Sequence, residues 1–304
     1  MPKRGLLDFI ISRLKGVTLA DKITLCKNLQ EETDLTHISM SGLALILGKK
    51  IDINIEDAVR GAEIDAQAAM KRGIQWVSWH DAEYPPLLRE IYDPPVMLFY
   101  KGCLPNPDLP LVAIVGTRKP SPQAARQAFD IARGLGRSGI SVVSGLALGI
   151  DAMAHRGNLE SGVPGVAVLG SGIDEIYPSI NRNLARRLIE NGGALLSEYP
   201  PGTIPQRWTF PARNRIISGM ARGVLIVEAP KKSGALITAA FALDQNKELW
   251  VSSTGSFSIN EKNPSWFDRR GTALLAEDGA GVIHEASDIL KEWNLKCVRI
   301  VNDS

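Results

Sequence analysis

The 304-residue sequence predicts an α/β fold, in which a doubly wound, mostly parallel sheet follows a small all-α region. Three observations predict it. Apolar residues recur three and four positions apart up to about residue 71, short apolar runs alternate with helical stretches after Pro110, and those runs are not interrupted by polar residues. We therefore expect a helical domain at 1–71, a sheet domain at 72–295 and a tail at 296–304.

The first region is helical in pattern, because Leu6, Phe9 and Ile10 share one helical face and no strand-like alternation occurs. A strand is expected at 73–79. A proline-punctuated connection then leads into a second strand that ends near Tyr100.

Beyond Pro110 we expect strands joined by helices such as 122–138, 181–191 and 233–244. The six expected strands are 111–115, 140–143, 165–169, 194–196, 223–227 and 248–251. Continuous apolar strands of this kind belong to a parallel sheet covered on both faces, which is a Rossmann-like arrangement. Its ligand is expected at the carboxyl ends of the strands, where the strand order reverses.

The net charge of +2 gives no sign of a nucleic-acid partner, but the charge is unevenly distributed. Residues 1–100 hold 12 Lys and Arg against 14 Asp and Glu, whereas residues 101–304 hold 23 against 19. From Tyr199 to Val227 there are four arginines and no acid. Such clusters suit a polyanion, although a solvated basic face has the same composition.

Several function classes are excluded by simple patterns. The three cysteines, Cys26, Cys103 and Cys297, are odd in number and far apart, and the four histidines lack metal-ligand spacing. The sequence has no phosphate-binding Walker loop, no nucleophile elbow and no apolar stretch of membrane-spanning length. We expect a cytoplasmic, non-membrane protein without a metal, a cofactor or a catalytic centre.

Small residues follow several expected strands, as in the segments GTR at 116–118 and SGLALGID at 144–151. Small residues there let backbone N–H groups face a phosphate, although tight turns alone also need glycine. Ser233 and Gly234 offer a similar anion position at the start of a helix. The segment GSGID at 170–174 lacks the third glycine of a dinucleotide site, which argues against a nicotinamide dehydrogenase.

The acid-free segment around 207–219 combines arginines with aromatic residues, as single-strand binding requires. An alternative stays open for these residues. Trp208 and Phe210 would then fill the core, while Arg213 or Arg215 would pair with a carboxylate such as Glu198.

Taken together, the motifs resemble one family, the DNA-processing protein DprA, also called Smf. The resemblance covers about residues 72–290. It rests on GTR at 116–118, SGLALGID at 144–151 with His155, AVLGSGID at 167–174 with Tyr177, Pro178 and Asn181, SEYPPG at 197–202, FPARNRIISG at 210–219 and SGALITA at 233–239.

The resemblance implies a non-enzymatic recombination mediator that binds single-stranded DNA, protects incoming DNA in natural transformation and loads the RecA recombinase. It also implies a SAM-like helical domain and a homodimer formed by the Rossmann-like domain, and it leaves the single-stranded-DNA-binding protein open as a partner. Arg118 matches a phosphate-binding arginine, Arg207 a DNA-contacting lysine, and Phe210 a residue that contacts a base. The other expected DNA-binding residues are Thr117, Ser144, Gly145, Ala147, Gly149, Gly170, Arg213, Asn214, Arg215, Ser233 and Gly234.

The sequence departs from this family in two places. SSTG at 252–255 stands where members often have Val-Pro-Gly, which puts contacts there in doubt, and a C-terminal winged helix is expected to be absent. There are two alternative functions. A LOG-like nucleoside-monophosphate phosphoribohydrolase is disfavoured, because Phe241 occupies the position of its catalytic glutamate. A scaffold with a vestigial pocket would act only through its protein contacts.

Overall fold

A computed structural model describes residues 6–256 and 268–295. The described residues form one nine-stranded sheet flanked by helices. The strands are β1 (Gln75–Ser78), β2 (Met97–Gly102), β3 (Leu111–Val115), β4 (Ser141–Ser144), β5 (Val166–Val168), β6 (Ala194–Ser197), β7 (Gly223–Ile226), β8 (Glu248–Ser252) and β9 (Gly281–Ile283). The predicted α/β class is confirmed.

The strand order is β1-β2-β6-β5-β4-β3-β7-β8-β9. In this order, the seven strands from β6 to β9 all run parallel to one another. Strand β2 pairs antiparallel with both β6 and β1. In the central register, Val112 of β3 lies between Val142 and Gly223. The chain reverses its direction across the sheet between β3 and β7, which is where such a sheet opens a crevice for a ligand.

Helices connect the strands and cover the sheet. They are α1 (Leu7–Arg13), α2 (Leu19–Asn28), α3 (Glu32–His37), α4 (Met40–Leu47), α5 (Ile55–Lys71), α6 (Pro86–Arg89), α7 (Pro122–Arg137), α8 (Ile150–Glu160), α9 (Arg182–Glu190), α10 (Thr209–Met220), α11 (Gly234–Asp244), α12 (Ser253–Ser256), α13 (Arg270–Glu277) and α14 (Ala286–Glu292). Local signals set several starts, since Ser121 caps α7 and Asn54 caps α5.

The N-terminal helices pack against the sheet and share its core. The ring of Phe9 in α1 makes edge contacts with Trp76 of β1 at 5.2 Å and with Phe99 of β2 at 5.9 Å between centroids. Arg72, just after α5, pairs with Asp174 at 2.9 Å between Nε and Oδ2. The helical region therefore rests on the β1–β2 side of the sheet, and a division of the chain at residue 71 stays a prediction.

Some sequence-based expectations concern residues outside the described ranges. They are the 296–304 tail, Cys297 and most of the polar loop after β8. Among the helices within 6–256 and 268–295, none has the length and apolar content needed to span a bilayer. The same residues contain no group of His, Cys, Asp and Glu arranged to hold a metal ion.

Candidate nucleic-acid interface

A small pocket opens at the carboxyl ends of the parallel strands. Its walls come from the turns after β3, β4 and β5 and from the start of α10. The lining residues are Arg118, Gly145, Ala147, Leu148, Tyr177, Pro178, Phe210 and Arg213. Five of these eight were predicted from the sequence, and they are 95 residues apart at their extremes, so the topology of the sheet brings them together.

In this pocket, the charged side chain of Arg118 lies next to two aromatic rings. The guanidinium carbon of Arg118 lies 5.7 Å from the ring centroid of Phe210, and the Phe210 ring lies 5.4 Å from that of Tyr177. Arg118 is exposed and forms no ion pair within the described part of the chain. Its charge therefore remains available for a ligand from solvent, beside a ring face.

Backbone packing behind the pocket requires glycine at two positions. Gly149 has φ of +77°, and a Cβ there would lie 2.3 Å from the carbonyl oxygen of Thr117. That oxygen accepts a hydrogen bond from the N–H of Ile150 at 3.2 Å. A Cβ on Gly145 would lie 2.5 Å from the Arg213 guanidinium. These glycines let the turns after β3 and β4 and the α10 arginine approach closely.

Arg213 is the internal brace of this region and is only 5% exposed. Its Nη1 donates to the carbonyls of Gly145, at 2.9 Å, and of Val168, so it ties the ends of β4 and β5 to α10. Burial lowers the pKa of Arg213 to about 10, opposed by the nearby carboxylate of Asp151. That carboxylate accepts from the N–H of Gly145 at 3.1 Å. A direct contact of Arg213 with DNA stays a prediction.

Three other predicted contact residues make internal hydrogen bonds. Arg215 donates from Nη1 to Oε2 of Glu198 at 2.9 Å, which is the ion pair that the alternative interpretation of this segment named. The amide of Asn214 donates to the Gly234 carbonyl at 3.1 Å, and the Ser144 hydroxyl donates to the Ile114 carbonyl at 2.7 Å. Their polar groups are thus used to hold α10, α11, β3 and β4 in place.

The remaining predicted residues differ in exposure. Arg207 and Gly234 are exposed, and Thr117 and Phe210 are partly so. Gly170 supports the aromatic ring, since a Cβ there would lie 3.0 Å from Cδ1 of Phe210. Ser233 is the residue before α11, and its hydroxyl has no hydrogen-bond partner among the described residues.

Leu148, Tyr177 and Pro178 were not among the predicted site residues, although all three line the pocket and the first two are substantially exposed. The loop that carries Tyr177 is held against the turn after β4, because the amide of Asn181 donates to the carbonyls of Leu146 at 2.8 Å and Ala147 at 3.2 Å. The sequence did offer one signal for Tyr177 as a site residue, because it is an aromatic residue in the turn region that follows the expected buried strand at 165–169.

His155 lies beneath the site in α8, fully buried, and neither ring nitrogen has a hydrogen-bond partner among the described residues. Burial, together with the charge of Arg213, lowers its pKa from 6.5 to about 3. The folded protein therefore keeps this imidazole neutral under conditions where the unfolded chain protonates it.

We expect this histidine to make the fold sensitive to acid. Because the unfolded state binds the extra proton, stability should fall as the pH drops below about 6.5, with the loss complete near pH 3. The cost should reach about 1.5 kcal/mol between pH 6.5 and 5. Urea unfolding of wild type and His155→Gln across this range measures it. Between pH 6.5 and 5, the free energy of unfolding of His155→Gln should fall by about 1.5 kcal/mol less than that of wild type. Equal falls in the two proteins would contradict the expectation.

The pocket residues also lie in the part of the chain that resembles known proteins. The family model described as DNA recombination-mediator protein A matches residues 75–294, which include every side chain of the pocket. The chain belongs to this family. The resemblance predicted from the motifs is therefore confirmed.

Members of the DNA recombination-mediator protein A family include curated relatives with substantial identity. The chain is 43% identical over 220 residues to the protein Smf of Synechocystis, covering 71% of this chain and 53% of that protein. It is 40% identical over 210 residues to the DNA processing protein DprA of Streptococcus pneumoniae, covering 69% and 71% respectively. The match thus spans about half of the Synechocystis relative.

Solved structures of the family show the same architecture. The DprA structure from Streptococcus pneumoniae matches with a TM-score of 0.74 and 32% identity over 95% of this chain and 98% of that one. DNA processing protein A from Helicobacter pylori matches with a TM-score of 0.62 and 30% identity, over 72% and 96%. The latter structure describes a single-stranded DNA binding mode of that protein.

Proposed function

We propose that the strand-end pocket binds single-stranded DNA. The observation that carries the proposal is the exposed Arg118 guanidinium beside the Phe210 ring, at the sheet edge where a ligand is expected. In this role the guanidinium of Arg118 donates bidentate hydrogen bonds to a phosphate, and the ring of Phe210 stacks on a base. Arg207, exposed three residues before Phe210, binds a neighbouring phosphate.

The chemistry of the pocket favours single strands over duplexes. A base can stack on Phe210 only if its own face is free, and in a duplex both faces of a base are covered by neighbouring base pairs. The phosphate contacts by contrast are available in either form. Discrimination therefore comes from the aromatic residues, while the arginines set the overall affinity.

Family membership supports placing this binding in DNA recombination. The chain would act as a recombination mediator that protects incoming single strands and loads the RecA recombinase onto them in the cytoplasm, with single-stranded-DNA-binding protein as a further partner. It would work as a homodimer formed by its Rossmann-like unit at 72–295, with 1–71 as a separate helical unit. The single-stranded DNA binding described for the Helicobacter pylori relative supports the first step.

We propose no catalytic role for the pocket. The phosphoribohydrolase alternative requires a glutamate where this chain has Phe241, a half-buried residue of α11. The side chains of Asp151 and His155 are both buried.

Phe210→Leu provides a direct test, because leucine keeps apolar bulk beside Gly170 and removes the ring. We expect affinity for an oligothymidine to fall about 10-fold, within the range of one lost base stack. Duplex binding should change little. Fluorescence anisotropy with single-stranded and duplex probes, repeated over a series of salt concentrations, measures both.

Two features of that experiment are diagnostic. The salt dependence of Phe210→Leu should match wild type, since no charge is removed, and Phe210→Tyr should restore most of the affinity. Equal losses on single-stranded and duplex DNA would contradict a base-stacking role. Undetectable wild-type binding to single strands would contradict the proposed function itself.

A further inference from the structure

A large aromatic side chain outside the pocket is left open to solvent. Trp208 is 62% exposed, whereas the other four tryptophans of the described residues, at 76, 79, 250 and 293, are buried or partly buried. The suggestion that Trp208 fills the core is therefore wrong. Covering this ring with a ligand would be favourable, and tryptophan is enriched at binding interfaces.

The indole is held in place although it is exposed. Its ring meets the ring of Tyr199 edge to face, with centroids 6.0 Å apart and planes at 81°. The indole Nε1 donates to Oε1 of Gln206 at 3.3 Å. The backbone carbonyl of Trp208 accepts from the N–H of Ala212 at 3.3 Å, in the first turn of α10. We call the Trp208 and Tyr199 pair the outer platform.

The outer platform lies beside the pocket along the chain and in space. Trp208 comes two residues before Phe210 and directly after the exposed Arg207. On the other side, Tyr199 and Pro200 line a groove shared with α1 and α2, whose walls include Arg13 and Lys22. The outer platform thus reaches the groove through Tyr199, while its Trp208 stands two residues from Phe210 of the pocket.

Two acidic residues in this region, Glu198 and Asp174, are paired with arginines, whereas the exposed Glu175 forms no ion pair among the described residues. Glu198, which lines the groove, accepts two hydrogen bonds from Arg215. Asp174 accepts from the N–H of Gly202 at 2.9 Å and pairs with Arg72. Both carboxylates thereby carry a cationic partner, and Arg207 keeps its charge for a phosphate.

From this placement we infer that the outer platform is a second base-stacking site for single-stranded DNA. The inference rests on the proposed function of the pocket and extends it by at least one nucleotide toward the N-terminal helices. A nucleobase would stack on Trp208 as the next part of the strand beyond the base on Phe210. A site of two platforms favours longer strands over short ones, because only a longer strand reaches both.

The test compares two ligands: thymidine monophosphate, a short strand of a single nucleotide that can occupy only one platform, and an oligothymidine of about 16 nucleotides, at the upper end of the usual site size of such proteins. Trp208→Ala should weaken binding of the long strand about 5- to 50-fold and leave the short strand within about 2-fold. Trp208→Phe should restore most of the loss. Long strands should also quench the tryptophan fluorescence of wild type more than that of Trp208→Phe.

Tyr92→Ala is a matched control, since Tyr92 is 94% exposed and lines a different groove, together with Arg222 and Glu248 at the amino ends of β7 and β8. It should bind both strands like wild type. Unchanged long-strand affinity and quenching in the Trp208 variants would overturn the outer platform, and so would equal losses on both lengths. The proposed function has its own reporter, because Phe210→Leu should weaken binding of both lengths.

Discussion

Replacing both exposed arginines of the site, as Arg118→Ala with Arg207→Ala, should weaken binding of single-stranded DNA by at least about 100-fold. Each arginine would contribute a charge-assisted contact of about 1.5–3 kcal/mol, and neither has an ion-pair partner within the described residues. The logarithm of affinity against the logarithm of salt should lose about 1.4 from its slope, at about 0.7 per phosphate contact. Anisotropy titrations over a salt series measure both quantities.

The effect should be the same for oligonucleotides of different sequence, since phosphate contacts carry no base information. Arg137→Ala with Arg187→Ala is the matched control, because it also removes two exposed arginines, one late in α7 and one late in α9. This control should weaken binding of single-stranded DNA only slightly, because it lowers the net positive charge without removing a contact in the pocket. A site variant that binds like the control would contradict the assignment of the pocket to DNA.

The strands were predictable because burial on both faces leaves a plain signal. The run 111–115 coincides with β3, and the run 223–227 differs from β7 by one residue. The edge of the sheet that carries the pocket was also predictable, because all parallel strands end there and small residues follow them. The pocket nevertheless lies at the ends of β3, β4 and β5, not between β3 and β7, where the strand order reverses. Arg118 and Gly145 therefore meet without being neighbours in sequence.

The role of each arginine was not predictable from the sequence. Arg207, Arg213 and Arg215 share one acid-free segment, yet the first is exposed and the other two are buried. The outcome depends on the rotation of α10 about its axis and on distant acids such as Glu198 and Asp93, which the fold brings to Arg215. Composition shows that a segment is basic, but packing decides which charges face solvent.

The exposure of Trp208 could not be predicted for a similar reason. An aromatic residue beside buried positions is as compatible with a core as with a surface, and only the start of α10 relative to Tyr199 places the indole outside. Tyr177 shows the same limit, since its contact with Phe210 depends on how the loop after β5 folds back.

Arg213, one of the two buried arginines of the acid-free segment, should instead act on stability. Arg213→Met is expected to lower the free energy of unfolding by about 3–5 kcal/mol, because it leaves the buried Asp151 without its cationic neighbour and frees the carbonyls of Gly145 and Val168. Urea unfolding followed by circular dichroism measures this loss. DNA affinity should be determined on the folded fraction, so that a stability effect is not mistaken for a lost contact.

A second substitution separates the charge from the hydrogen bonds. Asp151→Asn in the Arg213→Met background removes the unpaired carboxylate, so the double variant should recover part of the lost stability relative to Arg213→Met alone. The recovery should be larger at pH 8 than at pH 5. Burial raises the pKa of Asp151, and loss of the Arg213 charge, which opposes that shift, raises it further, so the carboxylate is neutralised more readily in acid. A single variant as stable as wild type, or a double variant less stable than the single one, would contradict the role of Arg213 as a brace that holds the β4 and β5 ends in register with α10.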